Sequence, residues 1–272
     1  MNDTKHRPGG REPRSITIHD GESFAGMRRA GRLAAETLDY ITPHVVPGVT
    51  TDALDVLCRE FIAAAGAISA PLGYKGYPRS ICTSVNRVVC HGIPNEKPLV
   101  EGDIVNIDVT PILDGWHGDA SRMYCVGRVG VKALRLVEVT FEAMMRGIEA
   151  VRPGATLGDV GHAIQSLAER NRFSVVRDFC GHGVGRVFHE PPNVMHFGRA
   201  GEGLVLREGM IFTIEPMVNA GRPETKLLED GWTAVTRDRS LSAQFEHTIG
   251  VTAGGCEIFT LSPRGWHRPP YD

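Results

Sequence analysis

The sequence predicts a mixed helix and strand chain, α/β or α+β, built from two similar halves. Three observations lead there. Apolar residues recur at helical spacing in some segments, with Leu54, Leu57, Cys58, Phe61 and Ile62 at i, i+3, i+4, i+7 and i+8. Elsewhere they alternate at period two, as in Val105, Ile107 and Val109 against Asn106, Asp108 and Thr110. The chain also resembles itself at a nearly constant offset. PGVTTDALDVLCREFI from Pro47 matches PGATLGDVGHAIQSLA from Pro153, a shift of 153 − 47 = 106, and EGDIVNID (101–108) matches EGMIFTIE (208–215), a shift of 208 − 101 = 107.

Taken in order, HRPGGREPRS near the start, with Pro8 and Pro13 flanking Gly9 and Gly10, reads as a flexible tail over residues 1–15, and residues 16–272 as a single domain. Phe24, Met27, Leu33, Ala34, Leu38 and Ile41 form a helix face, closed by Pro43 and Pro47-Gly48. The Pro-Gly turn and Thr at 47–50 open a second helix, and the same signal recurs at 153–156. The strand beginning at Val105 is expected to end at Pro111, and Asp114-Gly115 is a hairpin turn leading to a second extended run, His117 to Val126. If Asp114-Gly115 is the two-residue turn, Asp108 faces Ser121 with Asp119 as diagonal neighbour. If Leu113-Asp114 is, Asp108 faces Asp119 directly. Both registers bring two carboxylates within reach on one face, where they repel unless a cation lies between them or one keeps its proton.

The repeat multiplies this problem. It lays Asp108 on Glu215 and His91 near His189, and Asp114-Gly115-Trp116 on Asp230-Gly231-Trp232. Each of these tripeptides opens a strand with a further acid, Asp119 and Glu246. Packed about a pseudo-twofold axis, the halves would bring four carboxylates to one centre, too much charge for one hard cation and suited to two bridged divalent ions. Imidazole should join if the ions are transition metals, and His182 and His189 in CGHGVGRVFHEPP are the candidates.

Composition sets the frame. With 42% hydrophobic and 23% charged residues the chain reads as globular, and a net charge of −2 gives no electrostatic case for nucleic acid or an anionic membrane. The first residues lack an apolar targeting segment, so a cytoplasmic protein is expected. The six cysteines, Cys58, Cys82, Cys90, Cys125, Cys180 and Cys256, form no C-x-x-C pair and read as reduced thiols, mostly in the core.

VVCHGIP, NIDVT, DGWHGDAS, GHGVGRVFHEPP, FTIEPMV and SLSAQFEHT, in that order over 20–262, resemble the motifs of the type I methionine aminopeptidases. The resemblance implies an α+β pita-bread fold, two pseudo-symmetric halves of helices over a curved antiparallel sheet. It implies a cytoplasmic metal-dependent hydrolase that excises the initiator methionine of nascent polypeptides when the second residue is small, using a metal-bridging hydroxide. Its two divalent ions, Co, Mn, Fe or Zn, would be held by Asp108, Asp119, His182, Glu215 and Glu246. His91, His189 and Glu215 would be catalytic, with His91 and His189 also touching substrate. Tyr74, Tyr77, Cys82, Phe188 and Trp232 would line the methionine slot, where Pro71 departs from a cysteine common in bacterial relatives. Asn86, Val88 and Ser242 would hold a monovalent cation, Na or K. Nascent-chain N-termini are the implied partners, with ribosome association and a monomeric state as further expectations. The chain as given carries no N-terminal zinc-finger or proline-rich domain and resembles the compact bacterial form. The rival readings are another pita-bread hydrolase, such as a proline dipeptidase, and a catalytically inactive binding relative.

Overall fold

The structure, a computed structural model, describes residues 15–271; of the tail expected over 1–15, all but Ser15 lies outside the described residues. Four long helices form: α1 (Gly21–Ile41) and α2 (Thr51–Ala64) where the apolar periodicity placed them, α4 (Leu157–Arg170) where the repeat did, and α3 (Val131–Glu149) besides. Three of them start at side chains that satisfy the first free amides, while α3 follows Gly130 with no side-chain cap. Asp20 caps α1 by accepting from the Ser23 amide at 2.9 Å. Thr50 caps α2 and Thr156 caps α4, the latter in a reciprocal box with Asp159.

All strand pairings among the described residues are antiparallel, which resolves the fold class as α+β. The central eight-stranded sheet comprises β1 (Cys82–Val85), β2 (Ile104–Val109), β3 (Ala120–Cys125), β4 (Gly181–Gly183), β5 (Glu190–Val194), β6 (Ile211–Ile214), β7 (Glu246–Thr252) and β8 (Gly255–Ile258). Its order is β5-β4-β6-β7-β3-β2-β1, with β8 also paired to β7. The two halves therefore join at the β3–β7 pair, where Glu246 stands opposite Ser121.

The duplication is visible bond by bond. The amide of Gly48 donates to Leu99 O at 2.8 Å, and that of Gly154 to Leu206 O at 3.0 Å. Thr50 bridges to Pro98 as Thr156 bridges to Val205. Gly48 and Gly154 have φ of +93° and +86°, which is why a glycine follows proline in both copies. Each half packs its own core: Leu38, Leu54, Ile107 and Tyr124 in the first, Met144, Ile164, Phe212 and Ile214 in the second.

The hairpin takes the Asp114-Gly115 register: Asp108 pairs with Ser121, and Leu113 with Trp116. Two local expectations are corrected. Pro111 does not end the strand but begins a short one, Pro111–Leu113, because only Thr110 interrupts the ladder and the Pro111 carbonyl still accepts the Gly118 amide at 3.0 Å. The return run is likewise broken at Gly118 and Asp119. A Cβ on Gly118 would lie 2.1 Å from the carbonyl oxygen of Ala30, so glycine is what lets α1 rest on the hairpin.

Across the sheet, the buried Arg122 guanidinium pairs with Asp39 of α1, and Ser262 donates to the same carboxylate with oxygens 2.9 Å apart. Arg122 and Asp39 are 2% and 3% exposed, so losing either strands a charge without water. Asp39→Ala is expected to lower the unfolding free energy by about 3–5 kcal/mol in urea titration; a change under about 1 kcal/mol would mean that the pair is dispensable.

Candidate active site

β2, β4, β6 and β7 aim their acids and the imidazole of His182 at one point. Asp108 comes from the end of β2, Asp119 from the break before β3, Glu215 from just beyond β6, and Glu246 from the first position of β7. His182 is the middle residue of β4. Oxygens of Asp119 and Glu246 and a ring nitrogen of His182 lie within 4.8 Å of one another. His182 Nε2 is 3.5 Å from Asp119 Oδ2 and 3.6 Å from Glu215 Oε1. The register refines the expected symmetry. Ile214 pairs with His247, so one residue on Glu215 faces Glu246, just as Asp108 faces Ser121. Glu246 is therefore the mate of Ser121 rather than of Asp119.

This arrangement is electrostatically unfavourable for the protein alone. Asp119 and Glu246 are each 3% exposed, and among the described residues no lysine or arginine pairs with any of the four acids. Burial pushes the Asp119 carboxyl up to about 7. Burial, and then the charge of Asp119, holds Asp108 well above the usual carboxylate range. Glu215 and Glu246 are raised likewise, chiefly by burial. The histidines shift the other way: burial lowers His182 to about 4 and His189 to about 3, so both rings are neutral at pH 7. His182 Nδ1 lies 3.1 Å from the Gly183 carbonyl, which assigns the proton to Nδ1 and leaves the Nε2 lone pair facing two carboxylate oxygens. Lone pairs face each other there unless a proton or a cation lies between. A set of four carboxylates and one imidazole has the donor chemistry for divalent transition ions, so the residues fit such a group.

Neighbours hold the acids in place. Thr110 Oγ1 donates to Asp119 Oδ1 at 2.7 Å, and Thr213 Oγ1 donates to Glu215 Oε1 at 2.7 Å while accepting the His182 amide at 3.0 Å. Gln244 Nε2 donates to Glu215 Oε2 at 3.3 Å. The Glu215 amide donates to Nε2 of the fully buried His196 at 3.1 Å. Sequence reasoning missed these four residues. For three of them a signal existed: Thr110, Thr213 and Gln244 each lie two positions from an acid, the strand period that keeps them on its face. His196 carries no such mark.

The acids form the floor of a cavity of about 310 Å³, and the residues expected for a methionine slot line it: Tyr74, Tyr77, Cys82, Phe188 and Trp232, with Pro71 beside them. Tyr74 lies 5.0 Å from Phe188 and Tyr77 5.1 Å from Trp232, measured between ring centroids. His189 sits 4.1 Å from the His182 ring and stacks on Tyr74. His91 lines the cavity too, against Phe179 and Trp232. Asn86 and Ser242 also meet, outside this cavity: the Ser242 amide donates to the Asn86 carbonyl at 2.8 Å, and Val88 lies two residues further along. All six cysteines are free; Cys58, Cys82 and Cys90 are buried and the other three partly so.

The raised carboxyls set a pH dependence. A carboxyl whose folded pKa exceeds its free-chain value stabilises the fold only while it keeps its proton. For Asp119 that contribution is complete below 3.8 and lost as pH rises through about 7. The lowered histidines work oppositely, and their effect is complete above their free value of 6.5. In EDTA the melting temperature should therefore fall as pH rises from about 6.5 to about 8.5, and excess Mn²⁺ should abolish the fall. A flat or rising metal-free profile would contradict the electrostatic assignment.

The model of metallopeptidase family M24 matches residues 25–253. The methionine aminopeptidase of Rickettsia prowazekii (strain Madrid E) is 65% identical over 258 residues, 94% of this chain and 100% of its own length. A crystal structure of methionine aminopeptidase from R. prowazekii superposes with a TM-score of 0.90, covering 91% of this chain and 100% of that one. The methionine aminopeptidase of Escherichia coli (strain K12) is 54% identical over 249 residues, 91% of this chain and 94% of its own. A prolidase from Pyrococcus furiosus, at 21% identity and a TM-score of 0.72, covers 89% of this chain and 65% of that one and shares the fold alone. The chain belongs to metallopeptidase family M24 and, within that pita-bread family, to the bacterial type I methionine aminopeptidases.

Proposed function

We propose that this chain is a methionyl aminopeptidase: it hydrolyses the first peptide bond of new polypeptides and releases the initiator methionine when the second residue is small. The observation that carries this is the meeting, in one cavity, of four acids, two buried and two partly so, with an imidazole and a slot of aromatic rings and one thiol. The acids suit hydrolysis, and the slot suits a flexible, unbranched, sulfur-bearing side chain.

Asp108, Asp119, His182, Glu215 and Glu246 would hold two divalent ions, with Co, Mn, Fe and Zn all compatible with the donor set. Such ions supply Lewis acidity, which acidifies water and anchors a free α-amine. Glu215 would take the proton of the attacking water and deliver it to the leaving amine, and its hydrogen bonds from Thr213 and Gln244 support that role. His189, neutral at pH 7, offers a ring N–H to the carbonyl oxygen as it gains charge, and His91 offers another to the scissile amide. Tyr74, Tyr77, Cys82, Phe188 and Trp232 take the methionine side chain. Asn86, Val88 and Ser242 would hold one Na or K ion. In support, the buried Ser242 hydroxyl has no partner among the described residues, and the backbone at Asn86 has a φ of +55°. The proposal includes residues 16–272 as one catalytic domain, a monomer in the cytoplasm that meets nascent N-termini and associates with the ribosome. No helix among the described residues is long and apolar enough to cross a membrane.

The test is turnover of a Met-Ala-Ser peptide after chelation and restoration with Mn, Fe, Co or Zn, against an Ala-Pro dipeptide. Cleavage of the first alone is expected; cleavage of the second alone makes the chain a proline dipeptidase, and cleavage of neither an inactive relative. The same assay separates the histidines. His182→Ala should lose metal, with activity partly restored by excess ion. His189→Ala should keep both ions while kcat falls by on the order of 10²–10³ and KM changes little. The reverse pattern of metal content would exchange the two roles.

A further inference from the structure

Phe188 and His189 sit in a loop, residues 185–190, that enters no regular ladder until β5 begins at Glu190. What holds it comes from the other half of the molecule. The Gly185 carbonyl accepts two hydrogen bonds from one residue, His117: its amide at 2.9 Å and its ring Nδ1 at 3.0 Å. The same ring lies nearly parallel to Phe188, with centroids 5.6 Å apart and planes 15° apart. Beside it the Arg186 guanidinium covers the Trp116 ring at 4.5 Å. At the far end Thr17 Oγ1 donates to Glu190 Oε2 at 3.1 Å. Between these anchors Val187 faces solvent, 53% exposed, and Phe188 and His189 turn into the cavity.

His117 is 8% exposed and, unlike its neighbour Asp119, does not line the cavity. A buried imidazole there needs a reason, and its contacts supply one. We infer that His117 is a positioning residue for the substrate-facing loop: its ring N–H fixes the start of the loop and its face fixes Phe188, so that His189 stays against His182. The inference rests on the proposed peptidase reading, because Phe188 and His189 matter only if substrate meets them. It also gives the hairpin of the first half a task in the second. The turn at Asp114-Gly115 sets where His117 stands, and His117 sets where the loop stands.

The test uses the full metal-loaded chain and three variants: His117→Ala, His117→Asn, which keeps an N–H donor near Nδ1, and His117→Phe, which keeps the stacking ring. On Met-Ala-Ser, His117→Ala is expected to retain its metal content while kcat falls by roughly 10–100-fold, and His117→Asn or His117→Phe should recover part of the loss. Discrimination between Met-Ala-Ser and Leu-Ala-Ser should narrow, since Phe188 walls the slot; a merely structural role would leave that ratio untouched. In a double-mutant cycle the effects of His117→Ala and His189→Ala should be less than additive, because one acts through the other. Additive effects, or an unchanged kcat and Met/Leu ratio in His117→Ala, would overturn the inference while wild-type turnover leaves the peptidase reading standing. Should the wild type prove inactive, the His189 ring resonances in NMR still decide. They should shift in His117→Asn, and unchanged resonances overturn the inference independently of any reaction.

Discussion

The withdrawal of four carboxylates from water, two of them fully buried, is the constraint on which the structure turns. Asp108, Asp119, Glu215 and Glu246 arrive from both halves; burial opposes the ionisation of each, and the charge of Asp119 adds to that at the other three. A fold that had only to be stable would place apolar side chains at the ends of these strands. Instead Thr110, Thr213 and Gln244 hold the acid oxygens in place, and two neutral histidines complete the wall. The cost of burial is offset only when positive charge enters, so metal binding and the integrity of the site are one equilibrium.

Duplication explains how a chain comes to own such a cluster. One half carries Asp108 next to the end of β2, the other carries Glu215 one step past β6, and the β3–β7 junction brings the two ends together. Symmetry is kept where it organises the backbone, in the Pro-Gly turns, the threonine caps and the bonds from Gly48 and Gly154. It is relaxed where chemistry differs. Glu246 faces Ser121, Asp119 enters from a broken strand, and His182 comes from the second half to meet Asp119 of the first. The cavity is consequently lopsided, with carboxylates on its floor and aromatic rings on its wall.

Much of this was legible in the residues themselves. The offset of 106 to 107 marked equivalent helices and strands, and the Asp114-Gly115 turn allowed the observed register. The acid in the apolar run MIFTIEPMV could not be indifferent, because an unpaired buried carboxylate is expensive. The slot residues were a different matter: Tyr74 and Tyr77 carry no local mark of function and were named only through resemblance to a family. Other features were out of reach because they depend on tertiary approach rather than local pattern. Pro111 starts a strand because residues 68–69, far back in the chain, pair with it. Gly118 is required by the closeness of α1. His196 meets the Glu215 amide from nineteen positions away.

The central claim is that the cluster is assembled for cations and holds protons without them. Calorimetric titration of the metal-free chain with Mn²⁺ at pH 7, in buffers of different ionisation enthalpy, tests it most directly. The account predicts two ions bound per chain, with net release of about one proton or more that declines as the starting pH is raised. Binding with no proton release, or no binding above that of a chain carrying alanine at Asp108 and Glu246, would contradict it.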